Sequence, residues 1–451
     1  MLIRGAEVDG HRVDVRAAGG VITHVGPSRG RADVVVDAGG GAVVPGLHDH
    51  HVHLMAMAAA RASVDVGAFG LDALRGTPGD GWVRAVGYHE SVHGPLDRDR
   101  LDALVPDRPV RVQHRTGQQW VLNGEALRRT GIEARDEDGI ERDERGRATG
   151  RLFRRDDLLR SLVAGAPPDV AAAAAELARH GITGVSDLTP VTDPADLHAL
   201  ADVATRPGFP LTVVVTGGVP VATFDVGLPR GPVKIVLDEA RLPPFDALLA
   251  MFAAVRRARR AIAVHCVTRA ELVVALAAWD EVGARPGDRI EHAAVLPVEL
   301  IDAVRAHGLV VVTQPSFVAR RGDQYRSDVA ADDVAHLWRC GSLLAAGVGV
   351  AASSDAPYGD PDPWAAIAAA RDRTSPSGVV LGPDERIPAR RALELYLTPL
   401  EDPAGAPRRI AVGAPADLCL LADPLAAALA DPAAVTVRAT FRAGALAAGG
   451  T

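Results

Sequence analysis

The chain of 451 residues is 48% hydrophobic and 24% charged with a formal net charge of −8, so it can bury a large core and exceeds the usual size of one domain. Its arginines are interleaved with acidic residues throughout, which argues against a nucleic-acid partner, and its three widely spaced cysteines do not form the pattern of a disulfide framework. The sequence has neither a signal-peptide hydrophobic region nor an apolar run long enough to cross a bilayer, so we expect a cytoplasmic protein with no membrane partner.

The two ends of the chain have a similar pattern of predicted strands and turns. Residues 1–44 read as short strands between glycine-rich turns, and the same pattern returns over residues 408–451. Because these β-rich ends flank a mixed α/β middle, we predict that they form one small composite β-sandwich.

The first β-rich stretch ends in a dense group of histidines. The segment 45–53 reads Pro-Gly-Leu-His-Asp-His-His-Val-His, with four histidines in its last six positions. Because side chains alternate along a strand, His51 and His53 share one face, whereas His48 and His50 share the other. Either pair has the spacing with which two imidazoles bind one metal ion. We assign His51 and His53, because they lie nearer the C-terminal end of the strand, where a (β/α)8 barrel builds its active site.

The middle of the chain alternates strand and helix after an interruption. Residues 55–160 break the rhythm, are rich in charge and turns, and are predicted to form an inserted lid. Residues 45–54 and 161–407 are predicted to form a (β/α)8 TIM-like barrel. Its eight predicted strands cover residues 42–53, 184–187, 211–215, 232–237, 261–267, 289–295, 309–313 and 348–354. Predicted helices cover residues 168–180, 247–260 and 331–346.

One lysine stands out in the fourth of these strands. Among the 49 lysine and arginine residues of the chain, Lys234 is the only lysine. Arginine keeps its charge at any protein pH, whereas a desolvated lysine can lose its proton and react. One product of that chemistry is a carbamate formed with carbon dioxide, which can bridge two metal ions. The alternative is that codon drift toward arginine left one neutral lysine behind.

The order of these residues resembles that of the metal-dependent amidohydrolase superfamily. Pro-Gly-x-x-Asp-x-His-x-His at residues 45–53 is similar to the start of that superfamily, and Lys234 follows where its bridging ligand is expected. Three further ligands end the runs Ile-Ala-Val-His, Arg-Ile-Glu-His and Ala-Ser-Ser-Asp, a position typical of side chains at the top of barrel strands. These ligands are His265, His292 and Asp355.

Over nearly the whole chain, the resemblance is greatest to the branch of N-substituted formamide deformylases, amidohydrolase family 3. The branch usually has a histidine where Gln118 stands and a longer segment after the lysine strand than residues 238–245. Both departures affect the expected substrate pocket, so the resemblance does not give the substrate. The motifs on which the resemblance to this branch rests lie in residues 82–91, 106–109, 116–123 and 146–150.

The resemblance implies a centre of two divalent metal ions, most simply zinc, with carboxylated Lys234 as the bridging ligand. Asp355 would contact one ion and the attacking water, and would act as general base and then general acid. The other ligands would be His51 and His53 on the more buried ion, and His265 and His292 on the second ion.

The implied reaction is hydrolysis of a carbon–nitrogen bond in a small molecule, an amide, formamide or cyclic amide, by metal-activated hydroxide. The same metal centre also permits deamination, decarboxylation or isomerisation. A non-catalytic scaffold is a third alternative, which the complete set of six ligand positions disfavours. We also expect a homo-oligomer, most simply a dimer.

Loops over the mouth of the barrel are expected to set specificity. Arginine binds carboxylates well through its planar fork, which favours an acidic or polar substrate. The candidate substrate-binding residues are Tyr88, His89, Glu90, Arg115 and Gln118 in the predicted lid, and Gln314 and Arg320 after the seventh barrel strand.

Overall fold

The computed structural model describes residues 1–28, 32–163 and 167–450, and it divides the chain into two compact units. The main unit contains Met1–Leu54 and Ala171–Thr451, and the inserted unit contains Met55–Val170. All three cysteines are buried and free, in agreement with the sequence analysis. Across the described ranges, no helix combines the length and the apolar character needed to cross a membrane.

Strands and helices are labelled in chain order. The strands are β1 (Leu2–Val8), β2 (His11–Ala18), β3 (Val21–Gly26), β4 (Val35–Asp37), β5 (Val43–Pro45), β6 (Leu47–Val52), β7 (Val64–Asp65), β8 (Val83–Tyr88), β9 (Val110–His114), β10 (Gln119–Leu122), β11 (Ile140–Arg142), β12 (Ala148–Phe153), β13 (Ile182–Asp187), β14 (Thr212–Val215), β15 (Val233–Val236), β16 (Ile262–Cys266), β17 (Arg289–His292), β18 (Val310–Thr313), β19 (Gly349–Ala352), β20 (Leu418–Leu421), β21 (Val437–Arg442) and β22 (Ala445–Gly449). The helices are α1 (Leu54–Arg61), α2 (Val66–Phe69), α3 (Glu90–His93), α4 (Arg98–Leu104), α5 (Gly124–Thr130), α6 (Asp156–Leu162), α7 (Val170–Arg179), α8 (Pro194–Ala204), α9 (Phe245–Arg257), α10 (Arg269–Val282), α11 (Ile301–Ala306), α12 (Ser316–Asp328), α13 (Ala331–Val334), α14 (Gly341–Ala345), α15 (Pro363–Asp372), α16 (Ala389–Glu394) and α17 (Leu425–Ala430).

Two parallel sheets form the α/β part of the main unit. One has the strand order β14-β13-β6, and the other has the order β15-β16-β17-β18-β19. Strands β6, β13, β17 and β18 are buried along their whole length, as is typical of parallel strands covered on both faces. Each predicted barrel strand overlaps one of these eight strands, so the sequence located them correctly.

Backbone hydrogen bonds join the edges of the two parallel sheets. The amide of Gly231, just before β15, donates to the carbonyl of Val215 at the end of β14 over 2.9 Å. At the other edge, the amide of Asp355, just after β19, donates to the carbonyl of His51 in β6, also over 2.9 Å. The C-terminal ends of the first and last parallel strands therefore lie side by side.

Gly46 divides the first predicted strand, residues 42–53, into two. Before it, β5 pairs antiparallel with β20, whereas β6 after it pairs parallel with β13. A Cβ atom on residue 46 would lie 2.2 Å from the side chain of Thr183, so this close approach requires glycine. The prediction of one continuous strand was wrong here because the chain changes its sheet at Gly46.

The predicted helix over residues 331–346 is also interrupted. Between α13 and α14, Leu337 pairs with Val295 in an isolated β-bridge, and Trp338 adopts a φ of 49°. The amide of Trp338 donates to the carbonyl of Ala294 over 2.9 Å. Backbone pairing with the segment after β17, which an alanine-rich pattern does not reveal, replaces the helix at this point.

The two termini of the chain contribute two four-stranded sheets, with the orders β3-β2-β1-β4 and β22-β21-β20-β5. Their buried side chains form one apolar cluster, in which Ile3, Val15 and Val36 of the first sheet pack with Leu418 and Phe441 of the second. The burial of both sets in one cluster explains why the two ends have the same alternating texture.

The inserted unit is built on a six-stranded sheet with the order β11-β12-β10-β9-β8-β7. Strands β7, β8 and β9 are parallel to one another, whereas β10, β11 and β12 pair antiparallel. In the register of β8 with β9, Tyr88 lies opposite His114. The C-terminal ends of these two strands therefore coincide.

Candidate metal centre

His51 and His53 lie at the C-terminal end of β6, and both imidazoles approach one carboxylate. The Nε2 atom of His53 is 3.2 Å from Oδ1 of Asp355, and the Nε2 atom of His51 is 3.6 Å from the same oxygen. The Nδ1 atom of His53 contacts Oγ1 of Thr189 over 3.1 Å. The Nε2 atoms of both rings therefore face the Asp355 carboxylate.

The orientation of His51 is fixed by Glu291, which the sequence analysis did not single out. Its Oε2 atom lies 2.6 Å from Nδ1 of His51, and both side chains are fully buried. The guanidinium of Arg289 donates to Oε1 of Glu291 over 2.5 Å and to the carbonyl of His50 over 3.3 Å. A carboxylate that accepts from Nδ1 fixes the tautomer of a metal-binding histidine and leaves Nε2 available as the ligand atom.

Lys234, His265 and His292 extend the cluster along three neighbouring strands, β15, β16 and β17. The Nζ atom of Lys234 lies 3.4 Å from Nε2 of His51. The ring centroids of His265 and His292 are 4.5 Å apart, and those of His51 and His292 are 4.8 Å apart. The structure therefore brings all of these predicted ligands together with His53 and Asp355.

Asp355 is held in an unusual backbone conformation in the segment that follows β19. Its φ is 57°, in the left-handed region, and His292 at the end of β17 has a φ of 73°. Left-handed non-glycine residues are energetically unfavourable and cluster at functional sites. The Oδ1 atom of Asp355 is buried without a hydrogen-bond partner among the described residues, although the two Nε2 atoms are near. A cation between these atoms would satisfy it, so the donor set fits divalent metal ions.

Burial sets the protonation states in this cluster. Desolvation lowers the pKa of His51 and of His265 well below the ordinary histidine value, and it also lowers the pKa of His292. These three imidazoles are therefore neutral at pH 7, which is the form that binds metal. Desolvation likewise lowers the pKa of Lys234 to about 8.

The Asp355 carboxyl group is subject to opposing effects. Burial favours its neutral form, but the close contact with His53 and the nearby imidazoles of His51 and His292 together outweigh that effect and hold the pKa of Asp355 below its ordinary value. Asp355 is therefore ionised at neutral pH, so it can both bind a cation and accept a proton.

The other histidine pair of β6 has different partners. The Nδ1 atom of His48 contacts the carbonyl oxygen of Thr398 over 2.9 Å, and the Nε2 atom of His50 contacts Oγ1 of the same threonine over 2.8 Å. Burial lowers the pKa of His50 to about 3. These two rings thus pack against the segment after α16 instead of the Asp355 cluster.

Gln314 and Arg320, two candidate substrate contacts of the main unit, lie in different surroundings. Gln314 is fully buried; its Oε1 atom lies 2.9 Å from Nδ1 of His292, and its Nε2 donates to Oγ of Ser353 over 2.8 Å. Its amide oxygen thus contacts a predicted ligand, and its amide nitrogen is engaged by Ser353. Arg320 is half exposed and lies 3.4 Å from Asp360.

Comparison with known proteins decides the family. The profile of the amidohydrolase family matches residues 34–448. The chain belongs to the amidohydrolase family. Among its relatives, an N-substituted formamide deformylase of Arthrobacter pascens is 27% identical over 437 residues, which cover 80% of this chain and 79% of that protein. The putative amidohydrolase YtcJ of Bacillus subtilis (strain 168) is 26% identical over 424 residues, with the same two coverages.

The fold of this amidohydrolase also matches a solved structure. An uncharacterized metal-dependent hydrolase from Pyrococcus horikoshii superposes with a TM-score of 0.75 at 20% identity, covering 96% of this chain and 97% of that chain. Family membership confirms the predicted enzyme class. The chain is a metal-dependent hydrolase that acts on a carbon–nitrogen bond, other than a peptide bond, in a small molecule.

In the inserted unit of the amidohydrolase, four of the candidate substrate contacts lie near the ends of β8 and β9. The hydroxyl of Tyr88 donates to the carbonyl of Gly94 over 3.0 Å, and the amide of Arg115 donates to the carbonyl of Tyr88 over 2.8 Å. Further along, Oε1 of Gln118 accepts from the guanidinium of Arg154 over 2.8 Å. His89 and Glu90 group with a third residue that the sequence analysis missed, His114.

Proposed function

We propose that this amidohydrolase cleaves an amide, formamide or cyclic amide with two divalent metal ions, most simply zinc. The observation that carries the proposal is the convergence of the Nε2 atoms of His51 and His53 on the buried, unsatisfied Oδ1 atom of Asp355. The proposed ligands are His51 and His53 for one ion, His265 and His292 for the other, Asp355, and carboxylated Lys234 as the bridge.

The fold around this centre is proposed to be a closed (β/α)8 barrel. Support comes from the eight parallel strands and from the hydrogen bonds Gly231–Val215 and Asp355–His51 at the two sheet edges. We further propose that residues 1–44 and 408–451 form a β-sandwich, and that residues 55–160 form a lid. The apolar cluster common to the two terminal sheets supports the sandwich.

Metal ions in such a centre lower the pKa of a water molecule and polarise the carbonyl group that it attacks. Asp355 accepts a proton from the attacking water and passes it to the leaving nitrogen, as general base and then general acid. Its place on a left-handed turn between β19 and His51 fixes the carboxylate for both transfers.

The protein residues around Asp355 keep the ligand set in place. Glu291 accepts the Nδ1 proton of His51, and Gln314 accepts that of His292, so both rings present Nε2. Gln314 therefore acts as a positioning residue in this proposal. Lys234, with a pKa of about 8, has an appreciable neutral fraction at pH 7 from which a carbamate can form.

The substrate class is proposed from the chemistry of the family and of the relative named N-substituted formamide deformylase. Gln118 stands where the branch usually has histidine, and Arg154 engages its side-chain oxygen. The substituents on the cleaved carbon–nitrogen bond are therefore left to a substrate screen. The cytoplasmic location and the homodimer stay predictions.

A screen with metal-loaded and metal-free protein tests this function. N-substituted formamides, simple amides and cyclic imides are supplied, and the products are identified by mass spectrometry and by amine release. Water addition across a carbon–nitrogen bond that requires metal supports the proposal. Metal-dependent release of ammonia from a ring carbon, or an isomerised product of unchanged mass, would replace it with deamination or isomerisation. Substitution His51→Asn should abolish turnover, whereas the matched variant His50→Asn should retain metal-dependent turnover.

A further inference from the structure

Three imidazoles of the proposed centre are each held at Nδ1, but by groups of different length. For His51 and His292 the partner is the end of a long side chain, a carboxylate and an amide. For His53 it is the hydroxyl of Thr189, whose Oγ1 atom lies 3.1 Å from Nδ1. A threonine side chain is short and stiff at χ1, so its hydroxyl lies where the backbone places it. The position of the Thr189 backbone therefore decides whether His53 keeps its partner.

The carboxylate of Asp187, the last residue of β13, lies between the two backbone segments that carry this contact. Its Oδ1 atom accepts from the amide of Thr189 over 3.0 Å. Its Oδ2 atom accepts from the amide of Leu54, the residue after His53, over 2.9 Å. In the parallel pairing of β13 with β6, Asp187 lies opposite Val52, so its carboxylate is level with the end of β6. One side chain thus fixes the backbone on both sides of the contact between His53 and Thr189.

The chemistry of this position requires two acceptor atoms. Asp187 is 4% exposed, and within the described ranges no other donor and no basic side chain contacts its carboxylate. A buried carboxylate without a cationic partner is unfavourable unless its oxygens accept hydrogen bonds, which the two amides supply. Asparagine has one acceptor oxygen, and its NH2 group would face an N–H donor, so it can accept from only one of the two amides.

We propose that Asp187 is a positioning residue of the metal centre, which acts through Thr189 to hold the His53 ring with Nε2 toward Asp355. When Nε2 binds a metal ion, the ring proton lies on Nδ1, and the hydroxyl of Thr189 accepts it. No backbone amide of the described residues donates to this Nδ1, so the proton can point to Thr189. The Nε2 atom already lies 3.2 Å from Oδ1 of Asp355. This role rests on the proposed metal centre and adds two residues that do not bind the metal ion themselves.

A neighbouring threonine supplies a matched control. The hydroxyl of Thr216, also buried, donates to the main-chain carbonyl of Asp187 over 2.8 Å, and its backbone amide donates to the same carbonyl over 3.2 Å. Thr216 thus supports the end of β13 without donating to the carboxylate. Thr216→Val and Thr189→Val remove the same group from the same part of the sheet, but only the second removes the partner of His53.

The test measures the affinity of the full-length protein for zinc by competition with a chelator. The variants are Asp187→Asn, Thr189→Val, the conservative Thr189→Ser, and a double variant that combines the first two. Thr216→Val is the structural control, and His53→Asn is the control for the centre itself. Cobalt(II) spectra of the same proteins report the ligand geometry, and circular dichroism and thermal unfolding without metal report the fold.

We expect Thr189→Val and Asp187→Asn each to weaken zinc binding by about 10–100-fold and to change the cobalt spectrum, because the metal-binding histidine loses the group that orients it. Thr189→Ser keeps the hydroxyl and should bind zinc as the wild type does. Because Asp187 acts through Thr189, the loss in the double variant should be smaller than the product of the two single losses. Thr216→Val should lower the thermal midpoint without changing the affinity for zinc.

The outcomes separate this role from the centre on which it rests. Wild-type zinc affinity in Thr189→Val or in folded Asp187→Asn, while His53→Asn loses zinc, would overturn the role and leave the centre intact. Equal weakening by Thr216→Val, or a double variant that shows the full product of the single losses, would also overturn it. Unchanged affinity in His53→Asn would overturn the centre and the role together. Thr189 is only partly buried, so Thr189→Val is sufficient for the test if Asp187→Asn does not fold.

Discussion

Carboxylation of Lys234 should depend on pH in a way that its burial determines. The reaction requires the neutral amine, because the nitrogen lone pair attacks carbon dioxide and the lost proton leaves to solvent. Desolvation lowers the pKa of Lys234 to about 8, so roughly one amine in ten is neutral at pH 7 and about one in a hundred at pH 6. An ordinary lysine would have about one neutral amine in 2,500 at pH 7.

Carbamate formation at Lys234 should become faster as the pH rises. As the pH rises toward 8, more of the Lys234 side chain loses its proton, so metal-free protein should form the carbamate faster. At a fixed concentration of dissolved carbon dioxide, we expect the rate to rise about tenfold between pH 6 and pH 7, about fivefold between pH 7 and pH 8, and to level off above roughly pH 9.

The assay starts from chelator-treated protein and adds zinc with isotope-labelled carbon dioxide. The carbamate is followed by nuclear magnetic resonance, and bound zinc is measured in the same samples. Lys234→Ala is the control; it should take up less zinc, and a short carboxylic acid in solution should partly restore it. A rate that does not change between pH 6 and pH 8, or full zinc uptake and activity with an unmodified lysine, would refute the carbamate.

Three further predictions concern the residues around the proposed ligands. Asp355→Asn should keep much of the metal and the fold but lower turnover by roughly a hundredfold or more, because an amide cannot carry the proton. Kinetics and metal analysis of this variant test the prediction, and wild-type turnover with the metal retained would show that Asp355 does not transfer the proton. His51→Asn should reduce the zinc content, whereas His50→Asn, which alters a contact with Thr398, should not; equal losses would contradict the choice of strand face. Glu291→Gln should weaken zinc binding about 10–100-fold while the protein remains folded, since His51 loses the carboxylate that fixes its tautomer; unchanged affinity in a competition titration with a chelator would argue against that role.

The positions of the parallel strands could be predicted from the sequence because most of them contain a short apolar run, and some of these runs end in a chemically distinctive residue. His265 ends the buried run of β16 and His292 ends that of β17, and it was the resemblance to the amidohydrolase superfamily that selected these two histidines as ligands. The division at Gly46 could not be predicted in the same way. It depends on the side chain of Thr183, which is remote in sequence and excludes a Cβ atom there.

Glu291 and His114 were missed for a related reason. In the sequence, Glu291 is a single acidic residue next to a predicted ligand, and its contact with His51 spans 240 positions. His114 becomes significant only once β8 and β9 are known to be parallel neighbours with Tyr88 opposite His114. Glu291 and His51 come from strands of two different sheets, whereas His114 lies at the end of a strand paired with β8, and a local sequence pattern encodes neither arrangement.

Strand register also explains why a long side chain is needed at position 234. In the pairing of β15 with β16, Lys234 lies opposite Ala263, two residues before His265. At about 3.3 Å per residue, the Cα atom of Lys234 lies roughly 6.6 Å below the level of His265 along the strands. The four-carbon stem of lysine covers such a distance, and its Nζ atom accordingly reaches 3.4 Å from Nε2 of His51. Arginine has a similar reach but keeps its proton, so the register and the need for a neutral amine together favour the one lysine of this chain at this position.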